Sequence, residues 1–249
     1  MRLLLTNDDG IRATGLATLE RVVAGLGDVV VVAPDRERSA SGHSLTLEHP
    51  LRVARLDATH WAVSGTPTDA VLLAVETLLP GKPDWVLSGL NHGPNMGEDV
   101  TYSGTVAAAI EATILGIPAV AVSLAGRGEL LFDEVVPTLR RVLESLVRFP
   151  VGKMQFLNVN VPNLPASAVR GVRVARLGSR RYVDTVTAKQ DPRGRDYYWI
   201  GGKGPEWAPD ERSDAHAVRE GYVAVTPCLV DMTDYRALVE LEGVLERWP

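Results

Sequence analysis

The chain has 249 residues, 45% of them hydrophobic, with a formal net charge of −5. That length and apolar content suffice for one α/β domain of generous size with an appended substructure. The acidic balance and the lack of a long basic run exclude extended nucleic acid as a partner, because binding a polyanion needs clustered Lys and Arg. Cys228 is the single cysteine, so no intrachain disulfide can form; within the apolar stretch Tyr222 to Val230 it reads as a small buried hydrophobe. No apolar run approaches the roughly 20 residues that a bilayer span requires. Met1 to Leu5 is too short for a signal-peptide core before Asp8 and Asp9 interrupt it. The expectation is no membrane partner and a cytoplasmic location.

Leu3-Leu4-Leu5 predicts a buried strand, followed by a loop from Asn7 to Thr14. Leu16, Leu19, Val22, Val23 and Leu26 recur at core spacing and predict a helix over 15–26, with Thr14 as its N-cap. Val29 to Ala33 is unbroken in hydrophobicity, as a strand covered on both faces should be. The alternation over 45–56 predicts antiparallel strands. Thr66-Pro67-Thr68-Asp69 then starts a helix through Val71, Leu72, Val75 and Leu78, with a hydroxyl cap, proline at the first helical position and an acid in the first turn.

Trp85 to Leu87 is a third core strand, and the Gly/Asn-rich segment 88–101 reads as the loop after it. Helix 104–115, strand 119–122, helix 134–148 and strand 156–161 follow. Such alternation predicts a Rossmann-like, doubly wound and mainly parallel sheet with right-handed crossovers. After Pro162 the pattern changes: a half-exposed strand over 172–177, a long irregular excursion over 191–214, a strand over 222–226 and a helix over 235–245. The expected organisation is a catalytic core, residues 1–162, and a C-terminal segment, 163–249. An excursion of that length reads as an oligomer arm or a substrate lid.

Three loops at strand ends carry chemistry. In Thr6-Asn7-Asp8-Asp9-Gly10, adjacent side chains serve one site only if the chain turns, which Gly10 permits. Two carboxylates held so close share a proton unless a cation neutralises them; the plainer alternative is a solvated turn with one acid as a cap. The loop Pro34 to Ser44 offers Ser39 or Ser41 as a ligand, and His43 as a proton donor or a simple polar contact. Between Ser88 and Thr105, glycines and asparagines let backbone approach a ligand. There Ser103-Gly104-Thr105 opens a helix, where free N–H groups and the positive dipole end suit a phosphate as readily as an ordinary hydroxyl cap. Such loops converge beyond the carboxyl ends of the strands in open α/β sheets. Carboxylate, hydroxyl and amide oxygens favour a hard cation, Mg²⁺ or Mn²⁺ or else Ca²⁺, over zinc. The P-loop, the dinucleotide fingerprint G-x-G-x-x-G, H-E-x-x-H and G-x-S-x-G are all absent.

Taken together, Thr6-Asn7-Asp8-Asp9-Gly10, Arg38-Ser39-Ala40-Ser41-Gly42, Ser64-Gly65-Thr66-Pro67-Thr68-Asp69, and Ser88-Gly89-x-Asn91-x-Gly93-x-Asn95-x-Gly97 running into Tyr102-Ser103-Gly104-Thr105 resemble the SurE family, the survival-protein 5′-nucleotidases of bacteria and archaea. The resemblance runs along essentially the whole chain and is weakest after Pro162. It implies a C-terminal swapping arm and a homodimer able to pair into a tetramer. It also implies one divalent cation per subunit, held by Asp8, Asp9, Ser39 and Asn91. Hydrolysis of nucleoside 5′-monophosphates is the implied activity, with 3′-nucleotides and short polyphosphate as further substrates. The expected mechanism has Asp8 and Asp9 holding the metal, one of them accepting the proton of the attacking water. Asn95, Ser103, Gly104 and Thr105 would cradle the phosphate; a nucleophilic Asp8 stays open. Two rivals stand beside this reading: a haloacid-dehalogenase-type phosphatase, whose acids are spaced D-x-D rather than adjacent, and a nucleotide-binding sensor without turnover.

Overall fold

Leu3, Leu4 and Leu5 are fully buried and divide between two cores, Leu3 and Leu5 on one face of a sheet and Leu4 on the other. A strand buried on both faces is the centre of a layered α/β protein, and the computed structural model, which describes residues 1–126, 128–182, 186–200 and 205–245, shows one. Its first part runs β1 (Arg2–Thr6), α1 (Thr14–Val23), β2 (Asp28–Pro34), β3 (Val53–Arg55), β4 (His60–Val63), α2 (Pro67–Leu73), β5 (Trp85–His92), α3 (Gly104–Ile114), β6 (Ala119–Ala125), α4 (Val136–Leu146) and β7 (Gln155–Pro162). The remainder adds β8 (Gly171–Val174), β9 (Arg180–Tyr182), β10 (Val186–Gln190), β11 (Asp196–Ile200), β12 (Pro205–Trp207), α5 (Asp214–Arg219), β13 (Tyr222–Leu229) and α6 (Tyr235–Leu245).

Among the described residues nine strands form one sheet in the order β3-β4-β2-β1-β5-β6-β7-β13-β8. From β4 to β7 every neighbour is parallel; β3 and β13 pair antiparallel with β4 and β7. The winding reverses at β1, which lies between β2 and β5. In a doubly wound sheet that reversal opens a crevice beyond the carboxyl ends of the central strands. Helices α1 and α4 cover one face through Leu16, Leu19, Leu139 and Leu143; α2 and α3 cover the other through Val71, Ala108 and Ala112.

Several local expectations hold in detail. Thr66 caps α2, its Oγ1 accepting the Asp69 N–H at 3.1 Å while Asp69 Oδ2 accepts the Thr66 N–H at 2.8 Å. Cys228 is buried. Others need correction. Ala13, not Thr14, is the N-cap of α1, and it makes no side-chain cap hydrogen bond. Residues 88–92 belong to β5 rather than to a loop; the register shifts between Ser88 and Asn91, and a Cβ on Gly89 would lie 2.2 Å from Val122 O, so its glycine marks a close backbone approach. Only Val53–Arg55 pairs as a strand within 45–56. The stretch 191–214 is not irregular throughout: it holds β11, which pairs with β10 as a hairpin closed by Asp191, and β12, which pairs with β9. Both faces of that hairpin are exposed, so no core imposes an apolar alternation on it.

Candidate functional site

After β1 the chain turns sharply. Asn7 Nδ2 donates to Gly10 O at 3.0 Å, Asn7 Oδ1 accepts the Gly10 N–H at 3.1 Å, and Gly10 has φ +101°. The turn brings both carboxylates to one cleft of about 690 Å³ at the carboxyl end of the sheet. Ser39 reaches the same cleft because Arg38 N–H donates to Asp8 O at 2.7 Å, and Asn91 enters it from the end of β5. Asn95 and Ser103 complete this set of lining side chains. Six of the residues singled out from the sequence, Asp8, Asp9, Ser39, Asn91, Asn95 and Ser103, thus line one cleft, and Gly104 and Thr105 lie directly against Asp8.

Their hydrogen bonds divide the work. Ser103 caps α3, accepting the Val106 N–H at 3.1 Å. Gly104 packs so closely on Asp8 that a Cβ there would sit 2.8 Å from Asp8 Cβ. Thr105 is fully buried and its hydroxyl donates to Asp8 Oδ1, so that side chain faces the carboxylate rather than the open cleft. Asn91 gives its amide nitrogen to Gly93 O at 2.9 Å, which leaves Oδ1 for a ligand. The Asn95 side chain donates to Ser123 Oγ at 2.8 Å, while its backbone is held by Asn158 and Asn160 from β7. Ser39 is exposed and donates to Glu37 Oε1 at 2.7 Å, keeping lone pairs free.

Burial pushes the Asp8 carboxyl up to about 6, against the Thr105 hydroxyl, which favours the ionised form; the charge of Asp9 adds to the rise. Asp9 is raised too, chiefly by burial, with the neighbouring His92 opposing the rise. Among the described residues neither acid pairs with Lys or Arg; the His92 ring nitrogen Nε2 lies 3.9 Å from Asp9 Oδ2. No group of three His, Cys, Asp or Glu side chains gathers there among the described residues. A cation at this point would therefore take two carboxylates plus neutral hydroxyl and amide oxygens, a donor set suited to a hard divalent ion.

His92 was not singled out from the sequence, although it lies within the Asn/Gly-rich motif. Its backbone N–H donates to Asp9 Oδ2 at 3.3 Å, its ring Nε2 accepts the Gly15 N–H at 3.3 Å, and the ring packs tilted against Phe132 with centroids 4.9 Å apart. Ser41, the alternative to Ser39, keeps a buried Oγ without a hydrogen-bond partner and lies beside Gly104. His43 is a polar contact: its Nε2 meets Glu111 Oε2 at 2.9 Å and ties its loop to α3.

A switch-point cleft with paired acids, facing the amino end of a helix, defines a Rossmann-like α/β protein. The family described as Survival protein SurE matches residues 3–184. The chain is 54% identical over 237 residues to the 5′-nucleotidase SurE of Gemmatimonas aurantiaca, covering 94% of each chain. It is 49% identical to the 5′-nucleotidase SurE of Pelobacter propionicus, covering 96% of this chain and 97% of that one. The crystal structure of the SurE protein from Aquifex aeolicus superposes with a TM-score of 0.89 at 41% identity, covering 98% of this chain and 99% of that one. This chain belongs to the SurE family.

Proposed function

We propose that this protein is a divalent-metal-dependent phosphohydrolase that releases phosphate from nucleoside 5′-monophosphates. The observation that carries the reading is the adjacent pair of buried Asp8 and half-buried Asp9, unmatched by Lys or Arg among the described residues, with Asp8 set against the first turn of α3. Asp8, Asp9, Ser39 and Asn91 would hold one cation per subunit, Mg²⁺ or Mn²⁺, with Ca²⁺ able to substitute. When bound, that ion neutralises phosphate charge and promotes ionisation of a water.

The chain's own residues do the rest. The amino end of α3, at Ser103, Gly104 and Thr105, orients a phosphate through N–H groups and the helix dipole. The Thr105 hydroxyl fixes the Asp8 side chain and favours its ionised form against the effect of burial. Asn95, anchored to Ser123 and β7, sets the loop that leads into α3. One of the two carboxylates accepts a proton of the attacking water as the new P–O bond forms and the ester P–O bond breaks, and that proton then passes to the departing nucleoside oxygen, so that one water is consumed and the carboxylate is restored. The same chemistry extends to nucleoside 3′-monophosphates and short polyphosphate.

We divide the chain into a catalytic core, residues 1–162, and a C-terminal segment, 163–249, that returns β8 and β13 to the sheet and supplies an oligomerisation arm. Helix α6 has no buried residue, and hairpin β10–β11 exposes Tyr198, Trp199 and Ile200. Contiguous exposed apolar surface of this kind marks an interface and supports a homodimer that pairs into a tetramer. No helix of the described residues is long and apolar enough to cross a membrane. A cytoplasmic location is part of this proposal, because nucleotide substrates are available there.

Phosphate release from AMP or GMP, with and without EDTA, tests the activity. Release that EDTA abolishes and Mg²⁺ or Mn²⁺ restores is expected. Tight nucleotide binding with no release would instead make the protein a sensor.

A further inference from the structure

Beside the acidic cleft lies a second cavity of about 500 Å³. Asn91, His92, Pro94 and Asp99 line both, so the two adjoin. The second one adds a different surface: Trp207 and Arg180, brought in from the C-terminal segment.

These two side chains arrive as cross-strand partners in the β9–β12 ribbon. The Arg180 guanidinium lies 5.8 Å from the centre of the Trp207 ring, within the range of a cation–π contact. The ribbon is clamped to the 97–101 turn, which leads from the Asn91–Asn95 loop towards Ser103. Glu98 accepts hydrogen bonds from Ser179 Oγ at 2.9 Å and from the Arg180 N–H at 2.8 Å, and Asp99 pairs with Arg180. Asp214 accepts the Gly97 and Gly178 N–H groups at 3.0 and 2.9 Å. Gly97 is required here: a Cβ would meet Trp207 Cζ3 at 2.9 Å and Gly178 O at 2.7 Å, so the missing side chain is what lets the indole close on the turn. An aromatic ring and a guanidinium are therefore fixed beside the acidic cleft by hydrogen bonds to the site's own loop.

Resting on the nucleotidase reading, we propose that this second cavity is the nucleobase subsite, with Trp207 and Arg180 as its stacking platform. A monoester whose phosphate sits between Asp8 and Ser103 must direct its organic group out of a polar cleft, and the adjoining cavity has room for it. Every base has a π-face, and stacking on an aromatic ring or a guanidinium binds it with little regard to its edge. Trp207 is then a specificity residue that separates nucleotides from smaller phosphomonoesters, and the C-terminal segment contributes to substrate choice. Tyr102, which lines the acidic cleft and is largely exposed, is the rival platform.

The test compares kcat/KM for AMP with kcat/KM for ribose 5-phosphate, which carries the phosphate and sugar without a base. Trp207→Ala should lower the ratio of the two roughly 10- to 100-fold, the worth of one stacked base, mostly through KM for AMP, and Trp207→Phe should recover most of it. A parallel loss on both substrates, which is what a purely structural role gives, would overturn the proposal. An unchanged ratio, or a ratio that falls in Tyr102→Ala instead, would overturn it as well. Failure of the wild-type enzyme on AMP and ribose 5-phosphate alike would defeat the nucleotidase reading itself, and would show before any variant is made.

Discussion

Replacing Gly104 by alanine adds one methyl group at a crowded point of the site. The new Cβ would lie 2.8 Å from Asp8 Cβ, 3.0 Å from Asp8 Oδ2 and 3.1 Å from Ser41 Oγ. Carbon atoms in contact prefer about 3.5–4.0 Å, so Asp8 or the first turn of α3 must retreat by roughly 1 Å. Asp8 has little freedom, since it is buried, bonded to Thr105 and tied through its carbonyl to Arg38. Overpacking of this kind costs about 1–3 kcal/mol, part of it offset by alanine's better helix propensity. A displacement of about 1 Å at reacting groups costs on the order of 100-fold in rate. Gly104→Ala should therefore fold, lose at most about 3 kcal/mol in urea denaturation, and turn over nucleotide on the order of 100-fold more slowly. Gly81→Ala, where an added Cβ meets nothing within 4 Å, serves as the control. Turnover within about threefold of wild type for Gly104→Ala would refute the close approach of α3 to Asp8, because a 1 Å shift predicts a far larger loss.

Asp8→Asn should abolish activity yet stabilise the metal-free protein. Its carboxyl stands at about 6 rather than 3.8 because of burial, so the folded state holds a proton that the unfolded chain has released. In EDTA, stability is full below pH 3.8 and is lost as the pH rises through about 6, a change of roughly 3 kcal/mol that Asp8→Asn removes; thermal melts from pH 4 to 8 with no such difference between the two proteins would contradict it. Asp214→Ala leaves the N–H groups of Gly97, Gly178 and Ala215 without their carboxylate and should cost roughly 2–4 kcal/mol in urea denaturation. Deleting residues 231–249 removes α6, none of whose described residues is buried; light scattering should then report a smaller oligomer, and an unchanged mass would place the interface elsewhere.

The parallel sheet was legible because its strands are covered on both faces and their apolar runs are continuous, as in Val29 to Ala33. The start of α2 was legible because Thr66, Pro67 and Asp69 act locally. The acidic turn could be located but not weighed: the burial of Asp8 comes from α3, nearly a hundred residues away. Thr105 shows the limit. Its place at a helix start argued for a phosphate contact, and only the packing shows its hydroxyl spent on Asp8. Residues 88–92 read as loop because Gly and Asn are poor strand formers, whereas β6 alongside holds them in the sheet. Trp207 lay within the excursion read as an oligomer arm or substrate lid, but nothing local singled it out, since a ribbon clamped by Glu98, Asp99 and Asp214 brings it to the cavity beside the acidic cleft.

A metal-dependent nucleotidase centred on Asp8 and Asp9 is tested most directly by Asp9→Asn. Phosphate release from AMP should be measured across a Mn²⁺ titration, alongside calorimetric Mn²⁺ binding and the circular dichroism spectrum. The expected result is a native spectrum, metal binding weakened at least about tenfold, as loss of a charged ligand implies, and turnover that saturating Mn²⁺ does not restore. Near-normal turnover at saturating Mn²⁺ would contradict the assignment of the pair as the heart of the site.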